Sequence, residues 1–111
     1  MSKYTVTVTG DGDFYIADVN KKRGLTEWLG TFNAYGTFGG GTITFKISTD
    51  GGTTKVPLQD YQGNSITLSA NGNFNSVLGN ASTNSGAPKL YATMAGSSSP
   101  SVVVDLLTNN G

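Results

Sequence analysis

Apolar and polar residues alternate in short runs along most of this chain, the period of strands with one buried and one wet face. Tyr4, Val6 and Val8 alternate with Thr5, Thr7 and Thr9, and Ile43, Phe45 and Ile47 alternate with Thr42, Thr44, Lys46 and Ser48. The same rhythm runs through residues 65–70, around Ile66 and Leu68. Residues 14–19, 73–78 and 89–95 also read as strands, and residues 101–107 are apolar on both faces, as in an interior strand or one covered by a neighbouring subunit. Residues 26–32 read as a strand, because Gly24 and Gly30 bracket too short a span for a stable helix over residues 25–29, and residues 33–38 lead into the glycine corner that follows.

The punctuation between these runs is turn chemistry. Gly10-Asp11-Gly12 predicts a hairpin joining the first two strands, and Asn71-Gly72 predicts another between residues 65–70 and 73–78. Gly39-Gly40-Gly41 reads as a flexible corner and residues 79–87 as a polar loop. After Ser48, Asp50 can accept hydrogen bonds from amides two residues on, while Gly51 and Gly52 supply the positive φ of a tight turn. About eight or nine short strands with such regular punctuation predict an all-β chain, a single-domain antiparallel β-sandwich or jelly-roll-like barrel. Its 111 residues form one domain, 1–111, long enough to bury a core.

Composition narrows the function. Seven basic and seven acidic side chains cancel, which argues against a nucleic-acid partner, whose capture needs an excess of Lys and Arg. The one basic cluster, Lys21-Lys22-Arg23, reads as a solvated turn. With no Cys and no His, thiolate metal sites, disulfides and Ser-His or Cys-His catalysis are excluded within the chain. The seven carboxylates show no spacing that demands a shared catalytic face, so no enzyme activity and no cofactor are expected. Asp11 and Asp13 are too few for a strong Ca²⁺ cage and read as turn residues, and Gly39-Gly40-Gly41 lacks the Lys and helix of a phosphate loop. The first residues enter a strand directly, which predicts a protein made in the cytoplasm without a leader, and no apolar run is long enough to cross a bilayer. Trp28, Phe32, Tyr35 and Phe38 crowd one segment so densely that it is expected to supply subunit contacts as well as core.

Ser48, Asp50, Gly52 and Thr54 have the Ser-x-Asp-x-Gly-x-Thr spacing that resembles the Asp-box hairpin of sialidases, except that Lys55 stands where an aromatic usually closes the motif. In that family the hairpin lies far from the active site, so the resemblance implies a structural turn and not glycoside cleavage. Over residues 25–107 the order of a Gly-Gly-Thr strand at Gly40, Gly41 and Thr42, this turn, Leu68-Ser69-Ala70-Asn71-Gly72, and Ala92 to Gly96 resembles small β-sandwich structural proteins of tailed bacteriophages. That resemblance implies a virion protein, of the capsid decoration or cement type, that forms homo-oligomers and binds the major capsid protein or other virion proteins. The alternative is a carbohydrate-binding module or adhesin tip, in which Trp28, Tyr35 or Tyr61 stacks on sugar rings.

Overall fold

In a computed structural model that describes residues 2–18, 28–59, 62–79 and 88–108, the alternating runs become nine strands. They are β1 (Ser2–Val8), β2 (Gly12–Asp18), β3 (Trp28–Thr37), β4 (Thr42–Ser48), β5 (Val56–Pro57), β6 (Thr67–Leu68), β7 (Gly72–Gly79), β8 (Lys89–Ala95) and β9 (Ser101–Thr108). One sheet has the order β1-β9-β3-β7; the other has the order β2-β8-β4-β5, with β6 also paired to β4. All these pairings are antiparallel.

The pairs nest. β1 lies with β9, β2 with β8, β3 with β7, and β4 with β5 and β6, as though one long hairpin had been rolled into two layers. The two packed antiparallel sheets make the expected β-sandwich, and their strand order is that of a jelly roll.

Two expected hairpins are replaced by arches between the layers. β1 spends its whole length on β9, and β2 pairs with β8, so Gly10 to Gly12 carries the chain from one sheet to the other. Likewise β6 pairs with β4 while β7 pairs with β3, so Asn71-Gly72 joins strands in different sheets. The type I′ hairpin turn that Asn-Gly favours needs positive φ at both central positions, and neither Asn71 nor Gly72 adopts it. Asn71 instead accepts a hydrogen bond from the Gly36 amide (3.0 Å), tying the arch to β3. The 49–55 turn does close a hairpin, with Ile47 opposite Val56 and Lys46 opposite Pro57.

Inward positions of the two sheets meet in one core of Val8, Ile16, Phe32, Ile43, Phe45, Leu90, Met94, Val102, Val104, Leu106 and their neighbours. At its centre Phe32 of β3 stacks on Phe74 of β7 (4.7 Å between centroids), and Phe45 of β4 packs against both rings at 5.0 and 4.9 Å. These three rings join the layers. Edge-to-face and offset stacking add about 0.5–1.5 kcal/mol per pair beyond the area they bury.

A bulge in β2 shapes the outer surface. Tyr15 lies opposite Tyr91, but the next paired residue is Ala17, opposite Leu90, which leaves Ile16 as the extra residue. Ile16 and Ala17 are consequently both buried. The alternation restarts after them, so Tyr15 and Asp18, three apart, share the outer face.

Candidate binding faces

The 48–55 hairpin is built by Ser48 and Asp50. The Ser48 hydroxyl accepts from the Gly52 amide (2.9 Å) and donates to Asp50 (2.8 Å), while Asp50 accepts from the Thr54 amide (2.8 Å). Gly51 and Gly52 have φ of 80° and 102°. A Cβ on Gly52 would stand 2.5 Å from the Tyr91 hydroxyl, so the absence of a side chain lets the turn lie against β8. The bonds from Thr54 and Ser48 hold the Asp50 carboxyl down at about 2. All four residues expected to form the structural turn are thus in one hydrogen-bonded unit.

The turn leans over the outer face of the β2-β8-β4 sheet, where the polar positions form one network. Lys55 donates to the Gly52 carbonyl (2.8 Å), lies 4.8 Å from the Tyr91 ring centre and pairs with Asp13 at 3.4 Å. Asp13 accepts from Thr93 at 2.5 Å, and that bond does most to lower its pKa. Across the strands, Lys89 pairs with Asp18 at 2.9 Å and lies over the Tyr15 ring, and Tyr15 donates to Asp18 at 2.7 Å. The Tyr15 hydroxyl is pushed up to about 12 by partial burial, by that hydrogen bond and by the carboxylate's charge. Each of these charges meets its counter-charge within the chain, and each of these two tyrosines has an ammonium over its ring.

The outer face of the other sheet is different. Its central strand β9 turns Val103 and Leu107 outward, both half-buried, with Asp105 between them. Asp105 is nearly buried and accepts from Thr5 (2.7 Å). Register places Tyr35 beside Val103, Asn33 beside Asp105 and Thr31 beside Leu107. Tyr35 is 44% exposed, and Thr31 donates to Asn75 of β7 at 2.7 Å. No described strand packs across this face.

The four aromatics expected at an interface separate. Phe32 is fully buried and Phe38 nearly so; as core residues neither can reach a partner, because β3 and the corner after it turn both rings inward. Tyr35 is on the open face. Trp28 begins β3, but its side chain lies outside the described residues, as do Lys21, Lys22, Arg23 and Tyr61. The sequence reading missed the Tyr15, Tyr91, Lys55 and Lys89 network. Tyr15 and Tyr91 alternate as strand residues, but only the β2-β8 pairing brings them together, with ring centres 5.8 Å apart, and only the bulge brings Asp18 to the same face.

Asp11 has partners separate from the Thr93 and Lys55 that hold Asp13. It accepts from the Ser97 amide (3.0 Å) and the Ser97 hydroxyl, so it ties the first arch to the β8-β9 arch, and the Ser97 hydroxyl is the main cause of its lowered pKa. Among the described residues no group of three or more Asp or Glu is placed to hold a metal ion. Comparison of the chain with models of protein families, with curated proteins and with solved structures finds no match.

Proposed function

We propose that this chain is a virion structural protein of the capsid decoration type, which attaches to an assembled head surface and has no reaction of its own. The observation that carries the reading is the outer face of the β1-β9-β3-β7 sheet: Val103, Leu107 and Tyr35 stand outward on central strands with nothing described over them. An outward apolar row on a central strand gains most when another surface covers it. On the opposite face Asp13 and Asp18 are already paired with Lys55 and Lys89, so it has less to gain from being covered. A domain that binds only the assembled shell stabilises that shell by mass action. The jelly roll is used by viral capsid and lectin domains alike, so the fold supports this reading without selecting it.

The carbohydrate reading has less support. A sugar stacks on a bare ring face, and the ammonium groups of Lys55 and Lys89 lie over Tyr91 and Tyr15. Of the three rings expected to stack, Tyr35 is exposed, and the side chains of Trp28 and Tyr61 lie outside the described residues. The deciding experiment depletes the protein from particles of the virus that encodes it, then challenges them with heat. Lowered head stability with unchanged host adsorption supports decoration; intact heads with lost adsorption support the glycan reading. Release of reducing sugar from host glycans by the purified chain overturns both.

A further inference from the structure

The two sheets have four edges, and three of them are blunted. β2 carries the Ile16 bulge and the charges of Asp13 and Asp18. On the edge beyond β4, β5 and β6 have two residues each, and β5 contains Pro57. β7 has its own irregularity, since Trp28 pairs with Gly79 and Leu29 with Val77, which leaves Leu78 extra. These are the devices by which sheet edges avoid pairing with other chains.

β1 has none of them. It pairs with β9 residue for residue from Ser2 to Val8 without a register shift, and its sequence Ser-Lys-Tyr-Thr-Val-Thr-Val contains no Gly, no Pro and one charge. Its other side has no described partner strand. Such an edge presents a row of free amides and carbonyls in a segment of high β-propensity.

We propose that β1 pairs antiparallel with β1 of a second copy, joining the two four-stranded sheets into one of eight strands. The two-fold axis passes through Thr5. That register pairs the whole strand with itself: Ser2 opposite Val8, Lys3 opposite Thr7, Tyr4 opposite Val6, and Thr5 opposite its own copy. Directly opposed residues share a face, so Tyr4 and Val6, half-buried against the core at the open edge, cover one another as aromatic and β-branched pairs. The two lysines are held apart, each facing a threonine. Asp13 and Asp18, on the adjoining edge of the other sheet, already have Lys55 and Lys89 as counter-ions. An isologous edge contact closes at two copies. It sets the two Val103, Leu107 and Tyr35 faces side by side, and it does not depend on attachment to a capsid.

Light scattering and analytical ultracentrifugation of the purified full chain, from micromolar to millimolar, test this with two substitutions at one exposed position. Thr7→Lys sets an ammonium opposite Lys3 of the partner subunit at both ends of the seam, and dimerisation should weaken by about tenfold. Thr7→Glu sets a carboxylate there, so the dimer should tighten at low salt and lose that gain at high salt. Both variants lose the same threonine, so comparing them cancels any cost to the fold, which circular dichroism monitors. A monomer at every concentration, a trimer or larger closed species, or a dimer that responds to the two variants alike overturns the proposal.

Discussion

Replacing Ser48 by alanine removes a hydroxyl that is 1% exposed and makes two hydrogen bonds in the turn. The Gly52 amide, half-buried beneath the turn, loses its acceptor, while Asp50 keeps the Thr54 amide and loses only the Ser48 donor. An ordinary hydrogen bond nets about 0.5–1.5 kcal/mol, and a donor left buried without a partner costs about 1–3 kcal/mol. The Gly52 amide dominates, so the expected loss is about 1–3 kcal/mol, a fall in Tm of about 4–15 °C for a domain of this size. Thr53→Ala, at an exposed position in the same turn, is the control and should change stability by less than about 0.5 kcal/mol. Thermal melts and urea titrations of both variants measure the difference. Equal effects, or a Ser48→Ala protein that melts with wild type, would refute the account of the turn; a folded, thermally unchanged variant that lost partner binding would make the turn a recognition element.

Phe32→Ala should cost about 3–5 kcal/mol in urea titration, since the ring is fully buried between Phe45 and Phe74, whereas Tyr35→Ala, three residues along the same strand, should cost far less. Gly36→Ala should leave little folded protein by circular dichroism: φ is 134°, and the new Cβ would lie 2.2 Å from the Ser101 carbonyl oxygen, forcing β3 and β9 apart. Asp50 has a folded pKa of about 2 against an ordinary 3.8, so its contribution is present above 3.8 and lost as pH falls from there through about 2. Melts across that window should show Tm falling for wild type and a shallower fall for Asp50→Asn; parallel curves would show that the carboxylate's hydrogen bonds do not stabilise the fold.

The strands were legible because their inward residues are apolar at every second position, as at Ile43 and Phe45 or Val102 and Val104. Connectivity was not. Gly10 to Gly12 and Asn71-Gly72 have hairpin chemistry, yet whether such a turn joins neighbours or arches between layers is decided by which strand claims the flanking amides. Here β9 claims β1 and β4 claims β6, both through long-range pairing. The Asp50 turn was legible because each of its hydrogen bonds joins residues no more than four apart. Phe32 and Phe38 were not separable from Tyr35 in the sequence for the opposite reason: local crowding says that not every aromatic of the segment fits one core, as the exposed Tyr35 shows, but not which of them turn inward. Tyr15 meets Asp18 through a bulge that no local pattern announces.

Imaging the bacteriophage particles to which the proposal assigns this chain, with and without it, by electron cryomicroscopy tests the central claim most directly. The account predicts extra density at symmetry-related positions on the head, with Val103, Leu107 and Tyr35 against the shell and the Tyr15-Tyr91 face toward solvent. Identical particles in the two samples, or the protein docked by its Tyr15-Tyr91 face, would contradict it.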